Sequence, residues 1–309
     1  MKLLIKHTII KSNYLINHES KLVFLGSCFA EEIAARFKIN GVDVLSNPFG
    51  VIFHPSAIAS IFINEICDFP IFQRENIFFT YFASSTIYAL TKEELVEKLH
   101  IAKNNLVTSV QQATHVFITF GTSVGYTNTE FECVVANCHK MPSVDFKKEI
   151  TSLKKMEEEW NLVFSLVNSW NPACKVILTV SPVRHLKEGL VVNTRSKARL
   201  FELVSVLEEI GASYFPSYEI CMDELRDYRF FKEDGLHPNK LAVDYCWGKI
   251  KETFCDQETN NVLNEIDHLR NMKNHVLLQP ESLDSLRFNE NKNKSLSAFK
   301  QKYPHINWQ

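Results

Sequence analysis

The chain has 309 residues, 45% of them hydrophobic and 23% charged, which excludes a disordered chain and is enough to bury one large core or two ordinary ones. Its 34 basic and 36 acidic residues give a formal net charge of −2, so it carries no electrostatic footprint of a general nucleic-acid binder or a membrane-surface protein. The expected partner is a small molecule or a polar polymer.

Met1 to His7 lacks an apolar signal stretch and a small-residue cleavage site, and no run of about 18 apolar residues occurs anywhere, so the expected compartment is the cytoplasm. Lys21 to Leu25 is an apolar run stopped by Gly26, after which Phe29, Ile33, Ala34 and Phe37 recur at helical spacing. The pattern predicts a strand, a tight turn and a helix. Gly41 to Leu45 predicts a second buried strand running into the turn-rich Ser46-Asn47-Pro48-Phe49-Gly50. Helices are expected over Pro55 to Glu65 and from Thr91 to Leu106, the latter opened by a capping box of Thr91 and Glu94. Between them, Ile77 to Tyr81 and Thr86 to Leu90 predict a small hairpin.

Thr114 to Phe120 and Lys175 to Val180 are near-continuous apolar runs, the pattern of strands buried on both faces of a parallel sheet. Each ends in small or turn-forming residues, Gly121-Thr122-Ser123 and Ser181-Pro182-Val183-Arg184-His185. Helices from about Val144 to Asn168 and from about Ser196 to Ile210 separate the strands, and Ala212 to Pro216 adds one more strand. The alternation predicts an α/β fold with a mainly parallel, doubly wound sheet, whose ligands bind outside the carboxyl ends of the strands. After Cys255 the sequence turns rich in Gln, Glu, Asn and Lys. Residues 256–309 read as an extension of paired helices packed on a catalytic domain of residues 1–255.

A side chain at a strand-to-helix turn sits among free N–H groups and the positive end of the helix dipole, which suits an acyl-transfer nucleophile. Gly26 relieves crowding before such a residue, and Ser27 and Cys28 are both candidates. Asp234-Gly235-Leu236-His237-Pro238 precedes an apolar-periodic stretch beginning at Leu241, which puts His237 at the mouth of a last helix. Asp234, three residues back, can fold onto the same imidazole, and a carboxylate-held imidazole is what a general base requires. The eight cysteines show no C-x-x-C spacing and read as reduced thiols, and no metal-binding, phosphate-loop or dinucleotide pattern occurs. No metal and no nucleotide cofactor are implied.

With both motifs in view, the sequence resembles the GSCFA family, whose name is the string Gly26 to Ala30 and which is grouped by similarity with the SGNH, or GDSL-like, hydrolases. The resemblance extends over roughly residues 21 to 255 and includes Asn47 to Gly50, Asn137-Cys138-His139-Lys140, Ser181 to His185, Ser196-Lys197-Ala198 and Tyr214 to Glu219. It implies a flavodoxin-like three-layer α/β/α sandwich with an esterase-like triad. SGNH enzymes carry Gly-Asp-Ser in their first block, and that register puts Cys28 in the nucleophile's place, with Ser27 replacing the aspartate. The turn N–H groups and a nearby imidazolium are expected to lower its pKa. The resemblance assigns an oxyanion role to the Gly50 N–H, but Gly121-Thr122-Ser123 has no asparagine where Gly-x-Asn is expected, and Thr122 or Ser123 is the expected substitute, as a weaker donor. Asn47, Asn137, His139, Lys140, Arg184 and His185 are candidate substrate contacts. The function implied is hydrolysis or transfer of an acyl group, such as acetyl on a carbohydrate; a binding module that keeps the pocket without turnover is the alternative.

Overall fold

The computed structural model describes residues 5–308, so the first four residues of the segment read for a signal sequence lie outside it. β1 (Lys21–Gly26) is followed at once by α1 (Cys28–Ile39), then β2 (Asp43–Ser46), α2 (Pro55–Ile63), and the pair β3 (Ile71–Arg74) and β4 (Ile77–Thr80). α3 (Lys92–Gln112), β5 (His115–Phe120), β6 (Val124–Asn128), β7 (Phe146–Ile150), α4 (Leu153–Trp170), β8 (Lys175–Val180) and α5 (Leu190–Glu209) follow. β9 (Ser213–Tyr214), the short α6 (Ser217–Glu219), α7 (Lys240–Phe254), α8 (Gln257–Asn274) and α9 (Leu283–Lys302) complete the chain.

The central sheet has the order β2-β1-β5-β8-β9, with every pair parallel. In chain order of its own strands this is 2-1-3-4-5, the flavodoxin-like arrangement. Alternate residues feed two cores: Val23, Leu25, Val116 and Ile118 pack with α2 to α5 on one face, and Leu22, Phe24, Phe117 and Ile177 pack with α1 and α7 on the other. The protein is therefore a three-layer α/β/α sandwich. Helical stripes supply the outer layers, as in α4, where Met156, Trp160, Val163 and Val167 are the buried positions.

Several boundaries differ from those the sequence predicts. β4 pairs with β3, in a hairpin turning at Glu75 and Asn76, and only Ala89 of the expected partner strand makes a bridge, to Phe78. The helix expected from Val144 begins at Leu153, because Phe146–Ile150 pairs antiparallel with Val124–Asn128 and Ser152 caps the helix by accepting from Lys155 N–H. α5 begins six residues before Ser196, directly after Gly189. Beyond Cys255, α8 and α9 pack through Val262, Ile266, Leu269 and Phe299, joined by Ile306 past the end of α9, while Leu263 reaches the core beneath α1 and α7. Among the described residues, no helix is long and apolar enough to cross a membrane.

The sheet reverses direction of winding between β1 and β5, and the turn after β1 lies there, close against β5. Gly26 has φ +126°, and a Cβ on it would lie 2.2 Å from Thr119 O. Its N–H donates to Asn47 Oδ1 at 2.9 Å, which ties the ends of β1 and β2 together. Gly26→Ala is expected to destabilise the fold by more than about 3 kcal/mol, through backbone strain and loss of the β1–β5 approach, as read from the urea midpoint. A variant as stable as the wild type would contradict this geometry.

Candidate active site

Ser27 is the N-cap residue of α1, and Cys28 is the first helical residue. The first N–H groups of α1, Cys28's among them, have no acceptor within the helix. The two side chains diverge. Ser27 is 2% exposed and its hydroxyl donates to Ser181 Oγ at 3.1 Å, whereas Cys28 is half-buried and lines a cavity of about 260 Å³. Phe29, Glu32, Val183, Lys232, Asp234, His237, Pro238 and Val243 line it too. Burial pushes the Cys28 thiol up, with Lys232 opposing the rise. This corrects the expected lowered pKa: desolvation outweighs the neighbouring cation, and the resting group is a thiol.

His237 and Asp234 stand in the loop that enters α7. Asp234 Oδ1 accepts the Leu236 and His237 N–H groups at 2.8 and 3.0 Å, and Oδ2 meets His237 Nδ1 at 2.7 Å. These hydrogen bonds, led by the His237 N–H, hold the carboxyl down to about 2. The Asp234 carboxylate takes the Nδ1 proton's bond and leaves Nε2 as the basic nitrogen. α7 begins only at Lys240, with Asn239 as its N-cap accepting from Ala242 N–H, so Pro238 and His237 precede the helix and the proline is not in its first turn.

A second cavity, of about 420 Å³, shares Val183 and His237 with the first and is walled by Phe53, His54, Thr122, Asn137, Arg184 and His185 among others. Asn137 lines it, its Oδ1 accepting from His139 N–H at 2.7 Å. His185 presents Nε2, buried and without a hydrogen-bond partner, and burial followed by the charge of Lys197 lowers it to about 3. It is therefore a neutral ring at neutral pH. Arg184 lies 4.1 Å from the Phe231 ring centroid and donates to Gly235 O at 2.8 Å, so it also holds the loop that carries Asp234 and His237.

Five of the candidate residues, Gly50, Ser123, His139, Lys140 and Asn47, line neither cavity. Gly50 does not offer its N–H, which donates to Asn47 O at 2.8 Å and closes the turn after β2. Ser123 is fully buried, its N–H and hydroxyl both bonded to Ser196. His139 is buried and stacked on Phe79 with centroids 4.3 Å apart, its Nε2 near Ala83 O, outside both cavities; the adjoining Lys140 is exposed and lines neither. Asn47 is buried beneath the turn, where its Oδ1 serves Gly26. Thr122 does line the larger cavity, with Oγ1 accepting from Val124 N–H and in contact with Ser196 Oγ.

His54 is a wall residue that the sequence reading missed. Its Nδ1 accepts from Ser56 N–H at the start of α2, which leaves Nε2–H to donate to Ser123 O or Thr151 Oγ1. A histidine just before a proline-started helix was the available signal. Burial lowers it to about 4. The unfolded chain takes up this proton near 6.5, so the stabilisation is full above that pH and is lost as pH falls toward 4, by about 3 kcal/mol at pH 4. Comparing urea midpoints of wild type and His54→Gln from pH 7 to 4 should show the variant losing less by that amount. Parallel curves would contradict the assignment.

Among the described residues no group of His, Cys, Asp and Glu side chains is placed to hold a metal ion. The architecture defines a class: a parallel α/β/α sandwich with a thiol at a helix mouth and an Asp–His pair on the wall of the same cavity. Within it, the chain belongs to the GSCFA family, whose model matches residues 21–250. No curated protein matches. Solved structures that it is similar to include a carbohydrate esterase family 3 protein from Talaromyces cellulolyticus, with TM-score 0.37 and 9% identity, covering 80% of this chain and 99% of that one. Another is an acetyl esterase mutant with acetate ion, with TM-score 0.36 and 10% identity, covering 81% and 99%.

Proposed function

We propose that the protein is an SGNH-type esterase or O-acyltransferase that works through an acyl-thioester on Cys28. The observation that carries this reading is that Cys28, Asp234 and His237 line one small cavity at the carboxyl edge of the sheet. As the Cys28 Sγ–carbon bond forms, the carbonyl π pair moves to oxygen and the thiol proton passes to His237 Nε2. The ester C–O bond then breaks, and the departing alcohol takes that proton. Water, or an acceptor hydroxyl, next gives its proton to His237 and attacks the thioester. The C–S bond breaks, and the thiolate recovers the proton. Asp234 holds the imidazole in the required tautomer throughout. Because the resting sulfur is a thiol, attack and proton transfer are coupled.

The small cavity suits a short acyl group such as acetyl. The larger one, with the faces of Phe53 and Tyr126 beside Asn137, Arg184 and His185, suits the alcohol part, for which a carbohydrate offers both an apolar face and hydroxyls. Residues 1–255 form the catalytic domain in this reading, and residues 256–309 are a packed extension; among the described residues, none of the extension lines either cavity. Assaying the protein on acetylated sugars and aryl acetates tests it, with release of acetate expected above the uncatalysed rate.

A second reading is a ligand-binding module without turnover, favoured by the engagement of the Gly50 N–H in its own turn. Tight binding of acetylated sugars with no acetate released over the whole panel would select it.

A further inference from the structure

Lys197, on the second turn of α5, is 2% exposed, and no carboxylate lies within ion-pair distance of it among the described residues. Its Nζ donates to Gly121 O and to Ser181 O, each at 2.6 Å, and stands 5.7 Å from the Tyr218 ring centroid. A buried ammonium without a counter-charge is expensive, and burial lowers this one to about 7. A methionine would fill the same space without that penalty. What distinguishes lysine is the charge it applies to the two peptides it touches.

In a trans peptide the C=O and the following N–H point in opposite directions, and the described chain has no cis bond. Turning Gly121 O onto Lys197 therefore turns Thr122 N–H away from the ammonium, and Thr122 is part of the wall of the larger cavity. That N–H has no acceptor among the described residues, although the Thr122 hydroxyl is engaged. Ser181 is followed by Pro182, which has no N–H, so only the Gly121–Thr122 peptide can pass the charge on to a donor. The Gly-x-Asn pattern puts the missing asparagine one residue on, at Ser123, whose N–H and hydroxyl are both taken by Ser196.

We propose that the Gly121–Thr122 peptide, polarised by Lys197, supplies the oxyanion donor that the absent asparagine does not: at the seam where the larger cavity meets the smaller one, along Val183 and His237, Thr122 N–H from one side and Cys28 N–H from the other bind the oxygen that becomes negative during acyl transfer. This deepens the acyl-transfer reading and rests on it. Thr122 acts through its backbone, and Lys197 is a positioning residue that orients and polarises that backbone. Each donor of this kind contributes on the order of 10²-fold to kcat or more.

The test uses 1,1,1-trifluoroacetone on protein labelled with 15N at threonine, the Thr122 amide being assigned by its loss in Thr122→Ser. Addition forms the Sγ–carbon bond, moves the carbonyl π pair to oxygen and passes the thiol proton to His237, which leaves an oxyanion at the position in question. The Thr122 amide proton should move downfield in the wild-type adduct, while threonine amides remote from the cavity stay. Lys197→Met should weaken the adduct by on the order of 10²-fold and lower kcat on an aryl acetate by a similar factor at unchanged KM, with its remote threonine amides unmoved.

A formed adduct with an unmoved Thr122 amide overturns the proposal from the wild type alone, whether or not the variant folds. So does a folded Lys197→Met with an adduct as tight as wild type, which is the result expected if the lysine only clamps β5 to β8. Absence of any adduct, together with no ester turnover, is the different result that removes the acyl-transfer reading and this inference with it.

Discussion

Cys28→Ala is expected to lower ester turnover by on the order of 10³-fold or more and to abolish covalent acyl capture, while Ser27→Ala keeps both. The two residues are neighbours in sequence but face different surroundings. Cys28 opens α1 with its side chain on the cavity that His237 shares, and Ser27 caps the same helix with its hydroxyl spent on Ser181 in the interior. In the proposed mechanism, removing Cys28 removes the step that divides one hard displacement into two easier ones. Removing the Ser27 hydroxyl loses one buried hydrogen bond, worth about 1 kcal/mol of stability, and leaves Ser181 still accepting from Val183 N–H. Initial rates on an aryl acetate decide the matter. Full activity of Cys28→Ala with loss in Ser27→Ala, accompanied by sensitivity to fluorophosphonates, would reverse the assignment.

His237→Ala is expected to lower kcat by about 10³-fold or more, and Asp234→Asn by about 10²-fold. Cys28 starts as a thiol because burial opposes its ionisation, so in the proposed mechanism its proton leaves as the bond forms, to His237 on the wall of the same cavity. An asparagine at 234 can still accept the two backbone N–H groups through its oxygen, but its amide presents a donor to Nδ1 where the carboxylate presented an acceptor. The imidazole then rests in the wrong tautomer. The Asp–His side chains are 42% and 38% exposed, so water relieves part of the loss, which is why the expected effect is smaller than for a sealed triad. Measuring kcat and KM separately checks the assignment, since the effect belongs in kcat. Loss confined to KM would make these residues binding groups.

The two chemical motifs were legible because each is local. Gly26-Ser27-Cys28 carries its strand, turn and helix in the apolar pattern around it, and Asp234 reaches His237 within one loop. The sheet was legible for a related reason: β1, β5 and β8 are buried on both faces and read as unbroken apolar runs. β6 and β7 were not, since Phe146-Lys147-Lys148-Glu149-Ile150 is polar on its exposed residues and runs into a strongly helical sequence. Its strand character comes from pairing with Val124–Asn128, far back along the chain.

The same cause limits the reading of the oxyanion groups. Whether a backbone N–H is free depends on its acceptor, and neither the Asn47 carbonyl that takes the Gly50 N–H nor the Ser196 side chain that takes the Ser123 N–H is marked by residue type. His139 looked like a polar contact after a strand, but its ring is committed to Phe79. Lys197 stood in a string typical of the family. Only the fold reveals that it is buried against the ends of β5 and β8.

The most direct test of the central claim is mass spectrometry of the protein quenched in acid during turnover of an aryl acetate, followed by peptide mapping. One acetyl group is expected, held as a thioester on the peptide containing Cys28, absent from Cys28→Ala and accumulating in His237→Ala only slowly. An acetyl group carried instead on Ser27, or steady acetate release with no labelled peptide in either the wild type or its variants, would contradict it.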